Sequence, residues 1–179
     1  MRYDADYSEE VTLKGGERIR LRTVRPDDKD MLVDALSRLS PESRYRRFFT
    51  AKPRLTPAEL RYLTEFDGIH HYAIGAGSLD ETAGYGVARM VALKDEPTTA
   101  ELAVLVADEL QGQGLGTLLM RRLLDAACER GIRRVYTEVL ANNKPMRRLM
   151  EHLGLDLEVH SHGTVVTMAA ENPCEARDE

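Results

Sequence analysis

The chain has 179 residues, 42% hydrophobic and 31% charged, the balance of one globular domain around one core and not of a disordered chain. A net charge of −5 and a pI near 5.6 argue against the basic footprint of a general nucleic-acid binder. No apolar stretch approaches the ~20 residues that span a bilayer, and the acidic opening MRYDADYSEE lacks the apolar centre of a signal peptide, so no membrane partner is expected.

Residues 1–16 are polar and are expected to be a flexible N-terminal segment, ahead of a single domain over 17–170. ERIRLRTV (17–24) alternates, with Ile19, Leu21 and Thr23 on one face and Arg18, Arg20 and Arg22 on the other, a half-buried strand. Pro26-Asp27-Asp28 opens a helix to about Leu39, and Ser40-Pro41-Glu42 opens a second. Thr56-Pro57-Ala58-Glu59 starts a third with the spacing of a capping box. HHYAIGAGS, YGVARMVAL and TAELAVLVA, separated by turn-forming residues, then read as an antiparallel meander. A helix follows from about Gly114 to Arg130, with Arg122, Asp125 and Glu129 on its wet face. RRVYTEVL is a further strand, Asn143 caps a helix to about Leu153, and LDLEVHS with GTVVTMA forms a closing hairpin. Residues 171–179 are expected to be a disordered acidic tail. The order of segments indicates an α+β fold, a mixed, mostly antiparallel sheet of about seven strands with helices on both faces. Neither Cys128 nor Cys174 belongs to a CxxC pair, so neither a disulfide framework nor a zinc site is expected, and a reducing cytoplasm is the default location.

Residues 106–117, VADELQGQGLGT, place glycines between a strand and a helix, where glycine weakens both. That arrangement offers free backbone N–H groups and a positive helix end to a phosphate. A dinucleotide fingerprint fails because its last glycine falls on Thr117, and no GxxxxGK followed by Ser or Thr exists. The spacing that fits is Gln-x-x-Gly-x-Gly, at Gln111, Gly114 and Gly116.

On this turn, the strand before it and Asn143 beyond it, the sequence over about 17–170 resembles the GNAT superfamily of N-acetyltransferases. The resemblance implies that acetyl-CoA is the co-substrate. It makes Val104 and Val106 the strand that meets the pantetheine arm, and Gln111, Gly112, Gln113, Gly114, Gly116 and Thr117 the pyrophosphate turn. Asn143 would be the capping asparagine of the helix after the next strand. LSPESRYRRFF, LTPAEL, TAELAVLVADELQGQGLG and EVLANNKPMRRLM are similar, more narrowly, to the catalytic domain of bacterial Pat-type protein lysine acetyltransferases. Larger members carry a nucleotide-binding or synthetase-like module, and none is expected within these 179 residues. A protein lysine is then the expected acceptor, a small-molecule amine or a catalytically inactive acyl-CoA-binding module being the alternatives; oligomeric state is left open.

A lysine amine, with a pKa near ~10.4, must lose a proton before it can attack a thioester. Glu101, at the start of an apolar strand, is the candidate general base, and the Pat-type resemblance places the catalytic glutamate there; the competing reading is a solvated carboxylate. The N–H of Val106 is the candidate donor to the oxyanion. Many members of the superfamily have a tyrosine general acid where this chain has Met150, which cannot donate a proton, and Tyr136 is a weak substitute. Arg44, Arg46, Arg47, Lys52 and Arg54 form a basic run that reads either as a wall of the acceptor groove or as a solvated helix face. Lys144, Arg147 and Arg148 similarly read as partners of the CoA 3′-phosphate or as surface charge. His70, His71, His160 and His162 are expected on solvent-facing strands, and no metal site is expected.

Overall fold

The computed structural model describes residues 1–50 and 54–174. Eight strands form one sheet: β1 (Ser8–Thr12), β2 (Arg18–Thr23), β3 (His71–Gly77), β4 (Gly84–Ala92), β5 (Thr99–Val106), β6 (Arg134–Leu140), β7 (Glu158–His162) and β8 (Val165–Glu171). Their spatial order is β1-β2-β3-β4-β5-β6-β8-β7, and only β5 and β6 run parallel. Five α-helices join them: α1 (Lys29–Ser37), α2 (Pro41–Phe48), α3 (Pro57–Thr64), α4 (Leu115–Glu129) and α5 (Lys144–His152). This is the mixed α+β architecture expected from the segment order. Among the described residues no helix is long and apolar enough to cross a membrane.

The helix starts form where their capping residues lie. Ser40 Oγ accepts the Ser43 N–H at 3.1 Å to begin α2. Thr56 and Glu59 satisfy each other's backbone donors at 3.2 and 2.7 Å to begin α3. Asn143 Oδ1 accepts the Met146 N–H at 3.2 Å to begin α5. Proline at the first helical position of α2 and α3 removes a donor that would have no partner.

Helices cover both faces of the sheet. A Cβ on Gly86 would touch Leu119 and Leu115 of α4, whereas one on Gly84 would touch Met31 and Ala35 of α1. Beneath α4, Leu115, Leu119, Met120 and Leu123 meet Ile74, Ala88, Met90 and Leu102 in the main core. Each such leucine contributes about 1.5–3 kcal/mol through burial.

Three expectations are corrected. The N-terminal segment is ordered: residues 8–12 pair with β2, and Tyr3 and Tyr7 are buried. The supposed wet face of α4 is what holds it. Arg122 pairs with Glu9 at 2.6 Å, Asp125 accepts from the Tyr3 hydroxyl at 3.3 Å, and Glu129 accepts the Tyr3 N–H at 3.0 Å. Polar spacing on a helix marks a polar surface, and here a second polar segment covers it. This strand raises the sheet from about seven strands to eight. Finally, Cys128 at the end of α4 and Cys174 beyond β8 form a disulfide. Glu171 ends β8 and Asn172 is buried, so the tail is placed as far as Cys174, while 175–179 lie outside the described residues.

Candidate active site

The β5–β6 ladder is short. Thr99, Ala100 and Glu101 pair with Arg134, Val135 and Tyr136, and beyond that point the strands part. Ala107 N–H donates to the Tyr85 carbonyl at 2.8 Å, so strand alternation turns the peptide groups of Val104 and Val106 toward the open side. The opening is a cleft of about 660 Å³. Its walls include Val104 and Val106 of β5, Thr137 of β6, Arg47 of α2 and Leu149 of α5.

The glycine turn closes one end of the cleft. Asp108–Leu110 form a single 3₁₀ turn, and Gly112 and Gly114 follow with φ of 76° and 87°. These left-handed conformations suit glycine, and Gly114 is the N-cap of α4. Gly116 has a different reason: a Cβ there would lie 2.7 Å from Leu149 Cδ1, so its small size lets α5 approach α4. Gln111, Gly112, Gly114, Gly116, Thr117 and Asn143 all line the cleft. Gln113 does not; its Nε2 donates to the Glu109 carbonyl at 3.3 Å, and its amide packs on Gly15. The Gln111 amide is also committed, donating to the Val106 carbonyl at 3.2 Å and to Asp108 at 3.1 Å.

Glu101 is exposed to the cleft at the point where the ladder ends. Burial of its carboxyl raises the pKa above the ordinary value, Glu138 adds to the rise, and Arg47 opposes it. Tyr136, its ladder partner, has its pKa raised by burial and then by the same two carboxylates. Met150 is fully buried in the core.

Several residues that the sequence reading did not single out shape the site. Asp108 accepts from the Ser40 N–H at 2.7 Å and the Ser43 hydroxyl at 2.5 Å, which ties α2 to the glycine turn. Lys14, in the β1–β2 turn, brings its Cε to 3.7 Å from the Cβ position of Gly114 and lines the cleft. Arg89 projects from the centre of β4, where a charge inside the apolar run YGVARMVAL was the available signal. Its guanidinium donates to His71 Nε2 and to the Leu63 carbonyl. Burial first, then Arg89, lowers the His71 pKa to about 4, so this histidine is a neutral, half-buried acceptor and not a solvent-facing one.

The basic run divides by environment. Arg46 pairs with Glu42 at 2.6 Å, and Arg44 donates to the Ser37 carbonyl at 2.9 Å. Arg47 turns into the cleft, Arg54 is exposed, and Lys52 lies outside the described residues. Of the three cations after Asn143, Arg148 lines the cleft; Lys144 and Arg147 do not border it. His70 pairs with Asp67 at 2.9 Å, while His160 and His162 are exposed on β7. No group of three potential metal ligands occurs among the described residues.

The profile described as "Acetyltransferase (GNAT) family" matches residues 32–155. Acetyltransferase Pat of Mycolicibacterium smegmatis is 34% identical over 159 residues, a match covering 88% of this chain and 47% of that protein. This chain therefore spans about half of that relative's length. Acetyltransferase PA5475 of Pseudomonas aeruginosa is 34% identical over 148 residues, covering 80% of this chain and 77% of that protein. The crystal structure of the GNAT domain of S. lividans PAT superposes with a TM-score of 0.86 at 28% identity, covering 94% of this chain and 99% of that one.

Proposed function

Because the chain belongs to the acetyltransferase (GNAT) family, we propose that it transfers the acetyl group of acetyl-CoA to an amine, the acceptor being a lysine side chain of a protein. One observation carries this reading. The opened edge of β5, the glycine turn and a carboxylate of raised pKa face a single cleft.

The peptide groups of Val104 and Val106 hydrogen-bond the amides of the pantetheine arm as a neighbouring strand would. The free N–H groups at the start of α4 receive the pyrophosphate, with Gly112, Gly114, Gly116 and Thr117 giving close access. Gln111 acts here by holding the Val106 carbonyl, and Lys14 supplies the cationic side chain beside the turn. Asn143 fixes the start of α5, which forms the opposite wall.

Glu101 removes one proton from the incoming ammonium, directly or through a water. The freed nitrogen pair attacks the thioester carbon; as the tetrahedral intermediate collapses the C–S bond breaks, and the nitrogen's second proton passes to water as the amide forms. A carboxylate raised in pKa is a better proton acceptor than an ordinary glutamate. CoA leaves as thiolate or takes a proton from water, since Met150 has none to give and Tyr136 holds its own more tightly than usual. The protein acceptor is supported by the Pat-type segments flanking the site.

The test has two parts. CoA should raise the melting temperature, because a ligand bound by the folded state alone stabilises it. Pantetheine, which lacks the pyrophosphate, should give a much smaller shift. Radiolabelled acetyl-CoA added to a cell extract should then label protein. An absent CoA shift overturns the acetyl-CoA reading; label confined to small amines overturns only the protein acceptor.

A further inference from the structure

Arg47 and Arg89 form a cationic pair that nothing described so far uses. Both border a second, apolar cavity of about 100 Å³ beneath α1, α2 and α3. Arg47 also borders the main cleft, so its side chain stands at the boundary between the two spaces. Arg89 lies two pairs along the β4–β5 ladder from Glu101: it opposes Ala103, while Val91 opposes Glu101. Side chains two residues apart on one sheet face are neighbours. The two guanidiniums and Glu101 therefore surround one small region.

Among the described residues neither cation makes an ion pair with a carboxylate, although the charge of Glu101 partly offsets the effect of burial on Arg47. Both hydrogen-bond acceptors of Arg89, the neutral His71 and the Leu63 carbonyl, are uncharged, and Arg89 is 6% exposed. Among the described residues Arg47 makes no ion pair; its guanidinium lies 5.2 Å from the ring centroid of Phe48. This differs from Arg22, an arginine on the same face about as buried as Arg89, which binds Asp28 at 2.7 Å and Glu81 at 3.3 Å. Burial lowers the pKa of Arg47 and Arg89, and for Arg89 the nearby Arg47 lowers it further. A cation withdrawn from water without an ion-pair partner is costly, and two adjacent ones repel. An anion entering beside Arg47 would relieve both costs.

We infer that Arg47, backed by Arg89, is the subsite for a carboxylate carried by the acceptor close to its reacting amine. The inference rests on the acetyl-transfer reading above and adds the substrate class. The charge pattern matches a zwitterion: Glu101 and Glu138 face the ammonium, and Arg47 with Arg89 faces the carboxylate. The anion belongs to the acceptor because Arg47 and Arg89 stand on Glu101's side of β5, where the amine must arrive. Its source is either the carboxylate of a free amino acid or an Asp or Glu side chain next to a target lysine.

Matched acceptor pairs provide the test: free amino acids against their amides, and lysine peptides with flanking Asp or Glu against Asn or Gln. In at least one pair the carboxylate form should have a kcat/KM higher by about 10- to 100-fold, the range of a charge-assisted hydrogen bond. The pair that shows it identifies the source. Arg47→Gln should bring that ratio within about threefold of unity. Arg89→Lys, which keeps the charge, should retain most of the preference, with circular dichroism checking that each variant folds. Equal rates in every pair, or a preference that survives Arg47→Gln, overturns the subsite. So does a parent enzyme that prefers a dicarboxylic acyl-CoA donor and loses that preference in Arg47→Gln, since the anion then belongs to the donor. A missing thermal shift with CoA would instead remove the underlying acetyl-CoA reading.

Discussion

The two faces of β4 and β5 differ in kind although the same strands build them. Toward α4 stand Ala88, Met90 and Leu102, all at most 1% exposed. On the other face, one residue away along the same backbone, stand Arg89 and Glu101. The α4 face is closed by apolar contact, which favours compaction and places few demands on geometry. The face beneath α1–α3 holds charges whose spacing must be maintained by others: Asp108 anchors α2, the Leu63 carbonyl and His71 anchor Arg89, and Asp28 with Glu81 anchors Arg22. Stability and chemistry are thus separated by strand alternation, with the rigid side supporting the charged one.

If this division holds, changes on the charged face should alter rate without altering stability. Glu101→Gln has the largest expected effect, lowering turnover by ~10²–10⁴-fold while acetyl-CoA still raises the melting temperature. The parent rate should rise with pH through an apparent pKa above that of an ordinary glutamate, and the variant should lack that limb. The stability effect has the opposite sign. A carboxyl whose folded pKa is raised contributes stability at low pH and loses it as the pH rises through that value. At neutral pH the glutamine variant should therefore melt no lower than the parent. A variant with near-parental turnover would return Glu101 to the role of a solvated carboxylate.

The reverse result is expected beneath α4. Leu123→Ala should cost about 2–5 kcal/mol of unfolding free energy, seen as a lower denaturant midpoint. Turnover per folded molecule should stay within a few-fold below the melting range. A large fall in turnover there would mean that the two faces are coupled and not separate.

What could be read from the sequence was what is local. The caps at Ser40, Thr56 and Asn143, the glycine spacing and the lone carboxylate opening an apolar strand each lie within a few residues. Arg89 carried the same type of signal as Glu101, a charge within an apolar run, but its neutral partners are assembled only by α3 and β3. The N-terminal strand is not legible locally because its apolar anchors are two tyrosines in a polar stretch, held by the charged face of a distant helix. The pairing of Cys128 with Cys174 likewise depends on where β8 returns, which their spacing does not reveal. Lys14 belongs to the same class, and it yields the smallest effect. Lys14→Ala should weaken CoA binding by about two- to fivefold, with the difference shrinking as salt rises, as expected of an exposed cation. Unchanged affinity at low salt would leave Lys14 as a packing residue only.

The parting of β5 from β6 has a consequence for self-association. An unpaired strand edge is adhesive toward other polypeptides and is a common starting point for aggregation. Here the unpaired edge lies in the interior of the sheet, between β5 and β6 and flanked by α2 and α5. A full strand with its side chains would have to displace a helix to reach it. A slender, amide-bearing arm meets no such obstacle. The fold thereby keeps the binding capacity of a bare edge while withholding it from neighbouring chains.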